Sequence, residues 1–285
     1  MFNISGKYLR SLISYGKAYN EAINIQSFCY NKYNKTIDVL CNYGMDIYQY
    51  SLIDGKLYKK IKLPKKQIFS VADFEILDST FYMLYKNLGN TDDDEYKLYK
   101  YNYITAEIEN EFLKLDKQLA ENVSIGQRNN LYVKDEDLYF YETFLDGVYK
   151  YNCDSIKIKK KIVFKRNEFS MPEKLLKKDV KDELEFIRMC VDCKYIWAHI
   201  NCIEYKNSIF SFYTYKKVVY GNIIDMKNQR STSYSYIYDD LISNTYFPIG
   251  YFRIINSDDK YLICNIESYS IESDDSNIIL LNSKI

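Results

Sequence analysis

The stretch 43–63, YGMDIYQYSLIDGKLYKKIKL, returns along the chain at a nearly constant interval, and that interval limits the fold more than any other feature. It reads as two short strands joined at Asp54-Gly55, a pair suited to a turn that needs a left-handed residue. Residues 2–12, FNISGKYLRSL, match SLIDGKLYKKI at 51–61, with Gly6-Lys7 lying over Gly55-Lys56. LYKYNYITAEIENEFLKL (98–115) and VYKYNCDSIKIKKKIVF (148–164) follow, and Tyr99-Lys100-Tyr101-Asn102 recurs letter for letter as Tyr149-Lys150-Tyr151-Asn152. The steps are 49 residues from Gly6 to Gly55, 51 from Tyr48 to Tyr99 and 50 from Tyr99 to Tyr149. A weaker copy, VVYGNIIDMKNQRS (218–231), comes late because the polar insertion EKLLKKDVKDELE (173–185) precedes it.

A period near 50 in strand-forming sequence is the mark of a propeller, each repeat supplying one four-stranded blade. Between the repeats lie further strand pairs: IFSVADFEI (68–76) with TFYMLYKN (80–87), NNLYVKD (129–135) with DLYFYETF (137–144), EFIRMCV (185–191) with KYIWAHIN (194–201), and GYFRIIN (250–256) with KYLICNIE (260–267). Short polar turns such as Asp78-Ser79 and Asp135-Glu136 separate them, as hairpins require. In the insertion, Leu175, Leu176, Val180 and Leu184 fall near helical spacing, so it reads as a short helix or a charged loop. The expected architecture is a single all-β domain over 1–285, a six-bladed β-propeller of four-stranded antiparallel blades. Blades should end near residues 12, 61, 115, 164, 231 and 285, and the first is incomplete, since 2–12 supply only its outer end.

Composition excludes several classes. Hydrophobic content of 47% with 27% charged residues fits a globular chain. Lys+Arg and Asp+Glu are both 39, which argues against nucleic acid as a partner, because such binding rests on a basic surface. The 32 Tyr and 15 Phe suit half-buried pleated surfaces. Seven Cys in a chain this long read as small core residues and not as a disulfide framework. No run approaches the ~20 apolar residues of a transmembrane helix, and the first residues lack the apolar stretch and cleavage site of a signal peptide.

The segment FNISGKYLRSLISYGKAYNEAINIQSFCYNKYNKTIDVL resembles the repeat of NHL-type six-bladed propellers. The opening Gly6-Lys7-Tyr8-Leu9-Arg10, ETFLDGVYKYN (142–152), YDDLISNTYFP (238–248) and the ending SDDSNIILLNSKI extend that resemblance over nearly the whole chain, to the six-bladed propeller proteins abundant in Bacteroides and its relatives. Two departures stand out. The Gly-rich segment of the repeat is reduced to Gly16-Lys17-Ala18-Tyr19-Asn20-Glu21, and the lipobox signal and most of a first blade are missing. The resemblance implies the cell envelope (periplasm or surface) if an N-terminal signal is missing here, and it implies no reaction.

Candidate chemistry is sparse. Cys190, Cys193, His199 and Cys202 gather soft ligands within thirteen residues, but alternation along KYIWAHINC puts His199 and Cys202 on opposite faces, so the expectation is core cysteines and no metal. The acidic run Asn90–Glu95 lacks the Gly of an EF-type loop and reads as a solvated hairpin tip. Neither a phosphate loop nor a Gly-x-Ser-x-Gly elbow occurs, and the single His leaves one possible catalytic base. No cofactor is expected. Of six Arg, three (Arg128, Arg188 and Arg253) fall in or just before the first strand of a blade, where side chains line a propeller channel. Arg in a chain that otherwise uses Lys points to bidentate anion contacts, or to ion pairs that hold blades in register. Asp239 and Asp240 sit in a loop of the kind that reaches a propeller face. Three functions follow: a non-enzymatic scaffold binding a protein or glycan, a hydrolase or lyase acting on an anionic sugar or ester at the arginines, or a shortened remnant without independent function.

Overall fold

The computed structural model describes residues 7–64, 71–86, 96–114, 131–134, 137–141, 147–152, 157–163, 170–177, 183–192, 194–196, 199–239, 245–248, 252–257, 262–266 and 277–281. After a short parallel pair, β1 (Ser14–Tyr15) and β2 (Glu21–Ala22), the chain forms three four-stranded sheets in succession. The first holds β3 (Ile25–Asn31), β4 (Thr36–Cys41), β5 (Asp46–Ser51) and β6 (Leu57–Lys62). The second holds β7 (Val71–Ile76), β8 (Phe81–Lys86), β9 (Tyr96–Asn102) and β10 (Glu107–Lys114). The third holds β11 (Leu131–Lys134), β12 (Asp137–Phe140), β13 (Gly147–Asn152) and β14 (Lys157–Val163). Two helices interrupt, α1 (Glu173–Leu176) and α2 (Glu183–Asp192). A fourth four-stranded sheet follows: β15 (His199–Tyr205), β16 (Ser208–Tyr215), β17 (Val218–Asp225) and β18 (Arg230–Tyr234). The hairpin β19 (Tyr236–Asp239) and β20 (Thr245–Pro248) precedes a three-stranded sheet of β21 (Phe252–Ser257), β22 (Leu262–Ile266) and β23 (Asn277–Leu281).

The protein is therefore all-β with almost no helix, and within each four-stranded sheet the strands lie in sequence order. The recurring stretch of the sequence is the third and fourth strand of each of these sheets.

One turn recurs, first between β3 and β4 and then inside the recurring stretch after β9 and β17. Asn31 Oδ1 accepts from the N–H groups of Tyr33 and Asn34, and Asn102 Oδ1 from those of Ile104 and Thr105. Asp225 Oδ1 accepts from those of Lys227 and Asn228. Four residues after each acceptor stands a left-handed residue: Lys35 (φ 53°), Ala106 (φ 62°) and Gln229 (φ 53°). A side-chain oxygen thus holds the turn while the left-handed residue returns the chain to the next strand. The Asn that ends each Tyr-Lys-Tyr-Asn copy is explained at Asn102 by this role. Gly55 (φ 72°) serves the β5–β6 turn as expected, with Asp54 Oδ1 accepting from the Lys56 N–H.

Contacts group the chain into two compact units, residues 1–138 with 151–158, and residues 139–150 with 159–285. In the first unit, one face of the first sheet packs on the second. Leu40, Ile47 and Ile61 share a buried cluster with Phe74, Tyr82, Leu84 and Tyr101. Tyr82 meets Phe74 edge-on (5.5 Å, 86°) and stacks on Tyr103 (4.5 Å, 25°). Each such side chain contributes about 1.5–3 kcal/mol through burial alone. The other face of the first sheet, with Val39, Cys41, Tyr48 and Tyr50, is covered by Ala22, Leu12 and Ile13. In the second unit, β15 lies beside β21.

Two expectations need correction. EFIRMCV is not a strand but most of α2. Phe186 and Cys190, four apart, are both fully buried while Arg188 between them is exposed, a pattern that a period of 3.6 permits and strand alternation does not. KYIWAHIN contributes only its end, because β15 starts at His199. Of residues 2–12, Lys7–Leu12 are described and lie in no named strand. Arg10 instead docks on the repeat it resembles, its Nη2 donating to the Ile53 carbonyl at 3.0 Å.

At Gly44 (φ 71°) the β4–β5 turn touches the backbone of β7. Gly44 O accepts from the Val71 N–H at 3.2 Å, and a Cβ there would stand 1.9 Å from the Val71 carbonyl oxygen. Gly44→Ala is expected to cost about 2 kcal/mol or more in urea unfolding, through the clash and the left-handed backbone together. Gly55→Ala, where the nearest obstacle is the flexible Arg10 side chain, should cost less.

Candidate functional site

The first strands of successive sheets are neighbours: β3 runs beside β7, and β7 beside β11. Strand alternation in VADFEI sends Asp73 and Glu75 to the side opposite Phe74 and Ile76, as the pairs Asp73–Tyr85 and Glu75–Met83 show against Phe74–Leu84 and Ile76–Tyr82. Asp73 is buried and joins all three strands. Its Oδ1 accepts from Ser27 Oγ on β3 (2.6 Å) and from the Phe74 N–H (3.0 Å), and its Oδ2 from the Leu131 N–H on β11 (3.0 Å).

Glu75, two residues on and partly buried, accepts at 3.0 Å from the Ile76 N–H. Burial, reinforced by the charge of Asp73, pushes its carboxyl up to about 7. Cys29 of β3 sits within the field of Glu75, Asp38 and Asp73. Burial first and these acids second raise its thiol well above the usual range, so it stays protonated and unreactive. A carboxyl that changes charge near neutrality beside a fixed, hydrogen-bonded acid can hold or release a proton or receive a polar ligand group.

Of the residues singled out by sequence, Arg188, Arg253 and Asp239 are described. Arg188 is exposed on α2 and so belongs to no first strand. Arg253 does lie on a first strand, β21, opposite Asn265 of β22. Asp239 ends β19 opposite Thr245. Arg128 and Asp240 lie outside the described residues, as do Cys193 and the acidic run 90–95. Cys190 and Cys202 are buried thiols outside any disulfide. A register shift between Ile200 and Ile203 interrupts the alternation by which His199 and Cys202 were assigned opposite faces. Among the described residues no group of three His, Cys, Asp or Glu could hold a metal ion, and no helix is long and apolar enough to cross a membrane. Asp73 and Glu75 were legible in one respect that the search for arginines passed over: two acids at alternate positions inside an otherwise apolar strand.

A family described as "Domain of unknown function (DUF4934)" matches residues 1–283. The chain belongs to the DUF4934 family. No curated protein matches it. Among solved structures, this DUF4934 chain is similar to a "Putative exported protein" from Bacteroides fragilis, with a TM-score of 0.75 at 17% identity over 93% of this chain and 72% of that one. U3-55K aligns with a TM-score of 0.42 at 8% identity over 88% of this chain and 60% of that one. An uncharacterized protein from Listeria monocytogenes aligns with a TM-score of 0.40 at 11% identity over 97% and 83%. The first of these shows a shared fold.

Glu75 makes stability depend on pH in a definite direction. The unfolded chain releases this proton near 4.5 and the folded chain holds it to about 7. Between those values the folded state binds more protons, so stability falls as pH rises through the window and levels off above it. The loss amounts to about 2–3 kcal/mol. Urea unfolding of wild type and Glu75→Gln between those limits should show this component of the slope only in wild type. Asp73→Asn, which turns an accepting oxygen into a donor facing a donor, should cost about 2–3 kcal/mol throughout.

Proposed function

We propose that this DUF4934 chain is a six-bladed β-propeller, working as a non-enzymatic scaffold that presents a propeller face or the channel mouth to a protein or glycan. The observation that carries this reading is the meeting of β3, β7 and β11 at Asp73. In a propeller the first strand of each blade lines the channel, and neighbouring first strands with polar groups between them are what that arrangement requires. Sheets whose strands follow sequence order support it further, as does the fold shared with the B. fragilis protein. That neighbour is described as a "Putative exported protein", which supports a place in the cell envelope.

One observation favours a second reading. A partly buried carboxyl near 7 suits a general acid or base, and a hydrolase or lyase acting on an anionic sugar or ester would use it.

A glycan array that includes uronic-acid oligosaccharides, run beside a turnover assay on the same sugars, separates the two readings. The scaffold reading expects retention of a glycan without product. Turnover with a pH limb near 7 that vanishes in Glu75→Gln would replace it with the catalytic reading.

A further inference from the structure

The outer strands of the four-stranded sheets are not protected alike. An edge strand offers unpaired N–H and C=O groups to any other strand, and proteins commonly blunt it with charge or a bulge. β6 carries Lys59, Lys60 and Lys62, and its register with β5 shifts between Gln49 and Tyr50. β10 carries Glu107, Glu109, Glu111 and Lys114, and its register with β9 shifts between Ile108 and Asn110. β14 carries Lys157, Lys159, Lys160 and Lys161.

β18 has neither device. Its sequence is Arg-Ser-Thr-Ser-Tyr, with one charge at its very start. It pairs with β17 over five consecutive positions, Arg230 to Tyr234, without a shift. All five residues are exposed, and among the described residues β18 has no strand on its outer side. Ser231 Oγ and Ser233 Oγ both donate to Asn222 Oδ1 of β17 (2.5 and 3.4 Å), which adds to the backbone ladder between the two strands.

We infer that β18 is an interaction edge and that its occupant is β18 of a second copy of this chain, paired antiparallel about a two-fold axis through Thr232. The residue pattern is self-complementary on that axis. Arg230 falls opposite Tyr234 of the second copy, a cation–π pair. Ser231 falls opposite Ser233, and Thr232 opposite Thr232, pairings that stabilise antiparallel ladders. The same operation on β6 sets Lys59 against Lys60, and on β14 Lys159 against Lys161, where like charges repel. A two-fold contact closes on itself, so the assembly stops at a dimer. Tyr234 and Tyr236, 44% and 58% exposed, stand at the end of the edge and add apolar contact. Five residue pairs bury less than the roughly 1,000 Å² of a stable interface, so the dimer is weak and depends on concentration.

Sedimentation velocity across a dilution series tests this. Wild type should shift from one chain toward two as concentration rises. Thr232→Lys, which places two ammonium groups on the axis, and Thr232→Glu should each stay monomeric, with circular dichroism and unfolding temperature close to wild type. An equimolar mixture of the two variants should recover the dimer, because the lysine of one then meets the glutamate of the other. That recovery separates a contact at this edge from any general effect of the substitutions. A wild type that stays monomeric at every concentration overturns the inference, as does a dimer that either variant leaves intact or that the mixture fails to restore.

Discussion

Asp38 is completely buried, and four donors surround it: Asn31 Nδ2 (2.9 Å), Thr36 Oγ1 (2.6 Å), Gln49 Nε2 (3.0 Å) and Tyr82 OH (2.5 Å). None of these is a cation. A carboxylate taken out of water without an opposite charge must have its lone pairs filled by hydrogen bonds. Three of the donors come from the first sheet, and the fourth crosses to β8 of the second. The Tyr82 ring stacks on Tyr103 of the second sheet, whose hydroxyl donates to the Ser79 carbonyl. The two sheets are therefore held in one relative register by a polar group that a slide would strand, while the apolar cluster around it supplies area without direction. The arrangement has a cost, since Gln49 Oε1 is buried without a partner.

The repeats were legible because they are made of local chemistry. An Asn or Asp at the end of the third strand, a left-handed residue four places later, and apolar alternation on either side can all be read within a dozen residues. The turn at Asp54-Gly55 was readable for the same reason. What sequence misassigned was decided by longer contacts. EFIRMCV has the residues of a strand, and only the burial of Phe186 together with Cys190 selects the helix. Residues 7–11 match a hairpin in sequence, yet Arg10 is used to fasten the Asp54-Gly55 turn rather than to build a second one.

The candidate site was harder to read for a related reason. Arg128, Arg188 and Arg253 attract notice because arginine is scarce here, but scarcity says nothing of position, and Arg188 belongs to a helix. Asp73 and Glu75 lie among many acids in composition, and their distinction is geometric. Both occupy first-strand positions that face away from Phe74 and Ile76. One is clamped by three donors and the other has a single backbone donor. Burial first, and the charge of Asp73 second, raise Glu75 toward neutrality.

Charge also sorts along each sheet. The buried acids Asp38 and Asp73 stand in the first two strands, where their hydrogen bonds join one sheet to the next. Lysines crowd the fourth strands β6 and β14, and Lys59 and Lys62 of β6 are exposed, so like charges keep these edges apart. A net charge of zero thus conceals a division of labour that composition alone cannot show. Inner acids need partners and so impose register, whereas outer lysines need none and so forbid pairing. β18 breaks the outer half of this rule while keeping a regular ladder, and a strand that lacks both charge and bulge is left with its pairing capacity intact.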